Sequence, residues 1–324
     1  MTQANETPFQ PTLALKNPHV QSFLASAGPR RLVVRKRAAQ LLATAETHVL
    51  DCGNGVRLMG DYNAGTNAER GLVILIHGWE GCSTSSYIVS AANALYQQGA
   101  SIFRLNLRDH GASHHLNKEL FHSYRLTEVV NAVAAIQAQF PHAENYLAGF
   151  SLGGNFALRV AAQQLPTIKL ERIAAICPVI DPWNAMYGIE NAFWAYRWYF
   201  TRKWKKSLAK KLALFPEYEY GELLKSARSL TELNHYFVPH HTPFDHPEEY
   251  FNAYGVGGGA LSTLNVDTHI LMSEDDPILD AADLDKIDAS VKLHVELLAH
   301  GGHCGFLTDF RFNSWADQRL TELF

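Results

Sequence analysis

The chain of 324 residues exceeds one typical domain, yet it fits a single large α/β domain with an insertion. Its hydrophobic fraction of 47% and charged fraction of 19% are ordinary for a globular protein with a sizeable core. A formal net charge of −4 provides no general attraction for nucleic acid, so a nucleic-acid partner is not expected.

The cysteines and the N-terminal segment bear on the compartment. No CxxC pair or dense disulfide framework occurs, which favours a reduced, cytoplasmic compartment. Residues 1–11 lack a basic region followed by an apolar one, so we expect no secretory signal. No segment reaches the roughly 18 apolar residues that a membrane span needs. A soluble protein is therefore expected, and contact with a membrane surface stays open.

Strands and helices are predicted to alternate along most of the chain. Residues 1–45 form an irregular to short-helical extension packed on the core, with a basic cluster from Arg30 to Arg37 expected to be solvated. A hairpin follows, with strands Glu46–Leu50 and Val56–Tyr62 around a Gly53-Asn54-Gly55 turn. The remaining predicted strands are Leu72–Ile76, Ser101–Leu107, Tyr146–Phe150, Arg172–Cys177, Thr268–Met272 and Lys292–Leu298. The predicted helices are Tyr87–Gln98, Leu126–Gln139, Asn155–Leu165 and Ser314–Phe324.

This alternation predicts an α/β fold with a mainly parallel central sheet flanked by helices. Residues 46–180 and 265–324 would form the core. Residues 181–264 interrupt the alternation of strands and helices with aromatic, helix-prone and proline-rich sequence between two late strands. An insertion at that position is predicted to be a helical cap or lid over the active-site face.

The pattern Gly-x-Ser-x-Gly around Ser151 is the strongest chemical signal. An apolar strand runs directly into the serine, and a helix-prone segment follows it. A strand–turn–helix of this kind strains the serine backbone, so Gly149 and Gly153 must leave room. The turn presents the hydroxyl above the sheet, with the N–H of Leu152 beside it. Ser151 is the predicted nucleophile.

A serine nucleophile needs a base and an acid, which in this strand order follow two later strands. Asp276 is the predicted acid because it precedes a proline and two apolar residues. Asp275, which could instead cap a helix, and Asp181 are the alternatives. Glycines on both sides let a loop carry His303 to the serine as the base, with His300 as the alternative. Cys304, beside His303, is interpreted as a small loop residue rather than a nucleophile or metal ligand.

The oxyanion of an acyl-transfer intermediate needs two N–H donors. Leu152 is predicted to supply one. The other is expected from the loop His77-Gly-Trp-Glu-Gly81 after an apolar strand, with the N–H of Trp79 as the candidate. His77 would hold that loop by hydrogen bonds.

The GFSLGG, HGWEG, DDPI and GGHCGF motifs together resemble those of the α/β-hydrolase superfamily. Three more segments resemble its YheT-type branch, AB hydrolase family 4: Lys16–Ser22, similar to an NPHLQT signature; Asn106–Gly111 with His114-His115; and Phe121–Tyr124. The likeness covers nearly the whole chain. It implies an α/β-hydrolase fold with an inserted helical cap. It also implies hydrolysis of carboxylic esters, with acylglycerols, phospholipids or acyl transfer to alcohols among the reactions of its members.

The aromatic and cationic segment Phe193–Lys206 has two interpretations. It is predicted to be a cap helix whose aromatic side chains line an acyl-chain site, and an interfacial helix that touches lipid is the alternative. Adjacent histidines on a strand point to opposite faces, so His114-His115 and His240-His241 do not indicate a metal. No metal or cofactor is expected.

The predicted function is cleavage of medium-chain or acylglycerol-like carboxylic esters through an acyl-enzyme on Ser151, with Asp276 and His303 completing a triad. The substrate would be a small molecule with an acyl chain. An alcohol acyltransferase using the same acyl-enzyme is the first alternative. A non-catalytic ligand-binding protein on this fold is the second, although such a protein would have no need of all three residues.

Overall fold

The computed structural model describes residues 9–163, 165–288 and 290–324; the first eight residues of the predicted N-terminal extension lie outside this range. The strands within it form one eight-stranded sheet. In chain order they are β1 (Glu46–Asp51), β2 (Arg57–Asn63), β3 (Leu72–Ile76), β4 (Ser101–Asn106), β5 (Asn145–Phe150), β6 (Arg172–Ile176), β7 (Asp267–Ser273) and β8 (Leu293–Leu298).

The sheet is mainly parallel, as the sequence predicts. Its spatial order is β1-β2-β4-β3-β5-β6-β7-β8, in which β2 is antiparallel to both β1 and β4 and every other pair is parallel. All residues of β3, β4 and β5 are buried, which matches their continuous apolar character because helices cover both faces of a parallel sheet. The carboxyl ends of β5, β7 and β8 therefore lie at one edge of the sheet.

The helices outside the insertion flank this sheet. These helices are α1 (Pro18–Ser26), α2 (Arg30–Arg37), α3 (Ala39–Ala43), α4 (Ser86–Gln97), α5 (Leu126–Gln139), α6 (Leu152–Ala162) and α12 (Trp315–Leu323). Helix α4 packs on α2 and α12, and α5 packs on α6.

Helix α6 begins three residues before its predicted start. The glycines at 153 and 154 have low helix propensity, which is why the sequence places the start later. In the structure a Cβ at Gly153 would lie 2.3 Å from the carbonyl oxygen of Ile76, so only glycine lets the helix approach β3 this closely. Tertiary packing overrides propensity here.

The residues between β6 and β7 are helical, and they are tied to the core by polar contacts. The helices are α7 (Pro182–Asn191), α8 (Trp194–Leu214), α9 (Gly221–Ser226), α10 (Leu230–His241) and α11 (Pro247–Asn252). The buried ammonium of Lys211, on α8, donates to Asp109 Oδ1 at 2.7 Å, and Lys203 Nζ donates to the Glu80 carbonyl at 2.8 Å. An unpartnered buried ion is strongly unfavourable, so the Lys211–Asp109 pair ties α8 to the loop after β4.

One residue of the N-terminal basic cluster departs from the prediction of a solvated face. Arg30 is buried, and its Nη1 donates to the Ala25 carbonyl at 2.9 Å. The partly buried carboxyl of Asp317 supplies the compensating negative charge. Arg31, Arg35 and Lys36 are exposed, as expected. Sequence clustering alone does not separate a structural arginine from its solvated neighbours.

Among the described residues, no helix combines the length and the apolar character that crossing a bilayer requires.

Candidate active site

Ser151 lies at the sharp turn between β5 and α6. Its φ of 55° and ψ of −118° place a non-glycine residue in a sparsely populated region. The Ser151 N–H donates to the Ile176 carbonyl at 2.8 Å, which fixes the turn to β6. A Cβ at Gly149 would lie only 2.0 Å from the Gly153 carbonyl oxygen. Both flanking glycines are therefore sterically required by the turn that presents the serine.

The structure brings Ser151, His303 and Asp276 together. His303 Nε2 lies 3.0 Å from Ser151 Oγ, and His303 Nδ1 lies 2.8 Å from Asp276 Oδ2. The other carboxylate oxygen, Asp276 Oδ1, accepts the N–H groups of Ile278 and Leu279 at 2.9 and 3.1 Å. With Nδ1–H donating to Asp276, the Nε2 lone pair of His303 is left to accept the serine proton.

The charge state of His303 depends on Asp276. Burial alone would lower the pKa of His303, but the Asp276 carboxylate and its hydrogen bond, together with the neighbouring Cys304 sulfur, raise that pKa well above its usual range. The Asp276 side chain is fully buried, so little solvent screens the pair. The arrangement therefore stabilises an imidazolium, which is the species formed when His303 takes a proton from a nucleophile.

The alternative acids and base occupy other places. Asp275 Oδ1 accepts the N–H of Gly302 at 2.8 Å, and Oδ2 lies 3.3 Å from His300 Nδ1. This pair braces the loop that carries His303. Asp181 accepts the N–H of Asn184 at the start of α7 and forms an ion pair with Lys286. The helix-capping role considered for Asp275 is filled by Asp280, which caps the short helix Ala281–Lys286, whereas Asp181 caps α7.

The loop after β3 lies against the serine. A Cβ at Gly78 would be 3.1 Å from the Ser151 Cβ, so the loop backbone passes directly beside the nucleophile. Among the residues that the structure describes, no group accepts the backbone N–H of Trp79 or of Leu152. Two uncommitted donors flanking one hydroxyl are what an oxyanion site requires.

Two neutral histidines shape this loop. His77 Nδ1 lies 2.8 Å from the Gly78 carbonyl, and its Nε2 accepts the Leu107 N–H at 3.1 Å. His110 Nε2 accepts the Glu80 N–H at 3.1 Å. Burial lowers the pKa of His77 well below its usual range and that of His110 to about 4, so both rings stay neutral acceptors. The sequence predicts such a role for His77 but not for His110.

Helix α1 holds the loop that carries His303. The sequence did not predict this contact between the helix and the loop. Ser22 Oγ accepts the His303 N–H at 2.8 Å and donates to the Pro18 carbonyl at 2.7 Å. The buried amide of Gln21 pairs with both backbone groups of Leu307, at 2.8 and 3.0 Å. The Lys16–Ser22 segment contains these residues, so its physical role is to brace the histidine loop.

We expect Ser22→Ala to lower kcat about 10-fold with little change in KM, because an unsatisfied His303 N–H loosens the loop by about 1–3 kcal/mol. Steady-state kinetics on an ester substrate would measure the split. Ser26→Ala is the matched control, since Ser26 also lies on α1 and lines the same cavity, and its hydroxyl has no partner among the described residues. Equal kcat for Ser22→Ala and Ser26→Ala would contradict the bracing role.

A cavity of about 750 Å³ opens beside Ser151 and His303. The indole of Trp79 stacks on Phe200 with ring centres 5.6 Å apart and meets the edge of Trp204 at 5.5 Å, so α8 forms one wall. Apolar side chains from the core, from α7 and from α11 form much of the remaining wall: Val179, Met186, Ile189, Phe251, Ile278 and Leu279. The cavity is therefore mainly apolar and is continuous with the serine and the histidine.

Comparisons with known proteins agree with this architecture. A family model described as alpha/beta hydrolase fold matches residues 71–310, and the chain belongs to that family. Over 335 aligned residues the chain is 23% identical to the protein named Putative esterase YheT of Escherichia coli, covering 99% of this chain and 95% of that protein. The predicted superfamily is confirmed, and the similarity to this relative agrees with the predicted branch.

Solved structures share the fold. An esterase of Pyrococcus furiosus superposes with a TM-score of 0.55 at 14% identity, covering 88% of this chain and 92% of that one. Est1E of Butyrivibrio proteoclasticus, with ferulic acid bound, superposes with a TM-score of 0.55 at 16% identity, covering 85% and 96%. The predicted fold class is confirmed.

Proposed function

We propose that this protein is a serine hydrolase that cleaves carboxylic esters through an acyl-enzyme on Ser151. The unbroken hydrogen-bond chain from Ser151 Oγ through His303 to Asp276, at 3.0 and 2.8 Å, carries this proposal. Family membership supports it, as do the names of the relatives, which include esterases. We also propose the corresponding domain division, in which residues 181–264 would act as a cap over residues 46–180 and 265–324.

Acylation would begin when His303 Nε2 takes the proton from Ser151 Oγ and the oxygen attacks the ester carbonyl. Asp276 stabilises the resulting imidazolium and keeps the proton on Nδ1 in place. The N–H groups of Trp79 and Leu152 would hold the oxyanion, since both flank the serine without other partners. His303 then protonates the leaving alcohol as the tetrahedral intermediate collapses.

Deacylation would use the same groups in reverse. His303 takes a proton from water, the hydroxide attacks the acyl carbonyl, and the Ser151 oxygen leaves with the proton held by His303. If an alcohol replaced water, the product would be a new ester and the protein an acyltransferase. The chemistry at Ser151 is the same in both cases.

The cavity walls support a substrate with a medium or longer acyl chain, as in a simple long-chain ester or an acylglycerol. A chain of several methylenes gains about 0.8 kcal/mol for each one buried, and the aromatic wall of Trp79, Phe200 and Trp204 offers such burial. Charged side chains contribute little to this wall. Lys203, which also lines the cavity, uses its ammonium on the Glu80 carbonyl and faces the ring of Tyr199 at 5.0 Å.

A fluorophosphonate probe would test the proposed nucleophile, and p-nitrophenyl esters of increasing chain length would test the substrate. We expect the wild type to be labelled and Ser151→Ala to remain unlabelled, with kcat/KM rising from acetate toward medium chains. Adding an alcohol acceptor and measuring the ratio of acid to new ester would separate hydrolase from transferase. Equal labelling of the two proteins would remove Ser151 from the mechanism.

We also propose that the aromatic residues at the cavity mouth touch lipid surfaces. Phe23 is 59% exposed, Trp194 63% and Trp198 56%, and all three line the cavity. Arg197 and Arg202 add positive charge nearby. Trp204 does not belong to this rim, since its ring packs on Phe237. Liposome co-sedimentation should weaken in Trp194→Ala/Trp198→Ala but not in Trp204→Ala. Unchanged liposome binding in the double variant would contradict the proposal.

We propose a cytoplasmic location, because all four cysteines are free in the structure. Fractionation of cells expressing a tagged chain would test it, and recovery outside the cytoplasm would contradict it.

A further inference from the structure

Two cysteines lie beside the proposed catalytic histidine, and the mechanism above uses neither. Cys177 follows β6 directly, and Cys304 follows His303 in the loop after β8. The Cys304 N–H donates to Cys177 Sγ at 3.3 Å, so the two thiols are neighbours although 127 positions separate them. Cys177 is fully buried, whereas Cys304 lines the cavity. The pair is therefore reachable from the substrate side through Cys304.

The two sulfur atoms and an imidazole nitrogen form a compact set. One ligand atom from each of Cys177, His303 and Cys304 lies within 4.8 Å of the others. When three atoms lie no more than 4.8 Å apart, there is always a position that lies within about 2.8 Å of all three (4.8 Å divided by √3). An ion could occupy that position. Zinc bonds of about 2.3 Å to sulfur and about 2.0 Å to nitrogen would thus need shifts of less than about 1 Å.

The backbone of both cysteines is fixed in a conformation that residues other than glycine rarely adopt. The φ angles are 43° at Cys177 and 59° at Cys304. The Cys177 N–H donates to the Leu271 carbonyl at 2.7 Å, which anchors it to β7. A cysteine that served only as a small apolar filler would need no such geometry. The fold instead holds both thiols facing the histidine.

We propose that Cys177, Cys304 and His303 form an inhibitory site for a soft divalent cation, for which Zn²⁺ is the probe. Two thiolates and one neutral imidazole are ligands that Zn²⁺ prefers, whereas Mg²⁺ and Ca²⁺ prefer oxygen. Each thiol releases its proton to solvent as its sulfur binds the ion. Three protein ligands leave the fourth coordination position to water.

Binding at this site would remove His303 from the triad. If Nε2 binds the ion, its lone pair is no longer available to Ser151. If Nδ1 binds the ion, it loses its hydrogen bond to Asp276 and the ring proton moves to Nε2, which then cannot accept the Ser151 proton. The ion would therefore block the enzyme, in contrast to a catalytic metal. The inhibition rests on the proposed hydrolase function, but the ion site itself does not.

Metal binding can be measured apart from activity, using Ser151→Ala. Equilibrium dialysis should give one Zn²⁺ per chain, and Co²⁺ should give the near-ultraviolet thiolate charge-transfer band of a tetrahedral site. We expect Cys177→Ser and Cys304→Ser in this background each to weaken Zn²⁺ binding at least 10-fold and to reduce the band, since only one thiolate remains in each. Cys52→Ser, which removes another buried thiol, and Cys82→Ser, which removes a more accessible one, should change neither.

Activity supplies the second measurement. Zn²⁺ should inhibit the wild type, a chelator should restore it, and Cys177→Ser should keep its basal activity while resisting Zn²⁺ at least 10-fold. The serine hydroxyl can still accept the Cys304 N–H, so the loop should stay in place.

Unchanged binding in Cys177→Ser and Cys304→Ser would overturn the proposal, and so would relief of inhibition by Cys82→Ser. Recovery by a reductant but not by a chelator would also overturn it, because the thiols would then have been oxidised to a disulfide. If Ser151→Ala binds Zn²⁺ as described but the wild type cleaves no ester, the ion site stands and the proposed function fails.

Discussion

Replacing Ser151 by alanine should lower ester turnover by about 10⁶-fold, as loss of the nucleophile does in other serine hydrolases. Ser22, another serine that contacts the histidine loop, engages the backbone of His303 rather than its ring, so it is not positioned to replace Ser151. The binding cavity keeps its walls, so ester binding should persist. Single-turnover kinetics would show whether the residual reaction forms an acyl-enzyme.

The size of this loss distinguishes a nucleophile from a residue that only orients substrate. Thermal unfolding of Ser151→Ala should occur near the wild-type temperature, because alanine at a positive φ is no more strained than serine and the contact that is lost is the single hydrogen bond to His303. Ser26→Ala again serves as the control and should retain full turnover. A loss below about 10²-fold in Ser151→Ala would mean that another group attacks the ester.

The parts of this site that the sequence could predict are those specified by local chemistry. Gly149 and Gly153 flank Ser151 because the turn excludes a Cβ at both places. The same steric requirement therefore explains both the sequence motif and the geometry of the turn. Asp276 and His303 each follow a strand, and parallel strands bring their carboxyl ends to one edge. Order along the chain was therefore enough to place these residues near each other.

The parts that the sequence could not predict depend on contacts between distant segments. The hydrogen bond between Ser22 and His303 spans 281 positions, and the neighbourhood of Cys177 and Cys304 spans 127. Neither pair has a spacing that a pattern could reveal. Helix α8 carries aromatic side chains all round, so its sequence left open which of them pack inward. The angle at which α8 lies on Trp79 determines that Phe200 and Trp204 pack inward.

Asp276→Asn should lower kcat by about 10⁴-fold, as the equivalent change does in other Ser-His-Asp enzymes. The asparagine oxygen can keep the bonds that Asp276 Oδ1 accepts from Ile278 and Leu279. Its amide NH₂ group would then face His303 Nδ1, which must accept rather than donate. That tautomer places the ring proton on Nε2, where it blocks transfer from Ser151.

The pH dependence of kcat/KM gives the same prediction an independent readout. Only neutral His303 acts as a base, and the Asp276 carboxylate raises its pKa, so wild-type activity should rise as pH increases through the alkaline range. Removing that negative charge lowers the pKa of His303, so the rising limb of Asp276→Asn should move to lower pH. Burial raises the pKa of Glu80, beside Trp79, to about 8, but both proteins share this titration and the comparison cancels it.

Asp275→Asn is the matched control, one position away and with a different partner. Asp275 contacts Gly302 and His300 rather than His303, so its loss should loosen the loop without changing the tautomer of the base. We expect a loss of about 10-fold, from one weakened loop contact of about 1–3 kcal/mol, and a rising limb at the wild-type pH. Suppose that Asp275→Asn instead produced the larger loss of kcat and the shifted rising limb. The acid of the triad would then be Asp275, and the loop would have to differ from the arrangement in which Asp276 Oδ2 lies 2.8 Å from His303 Nδ1.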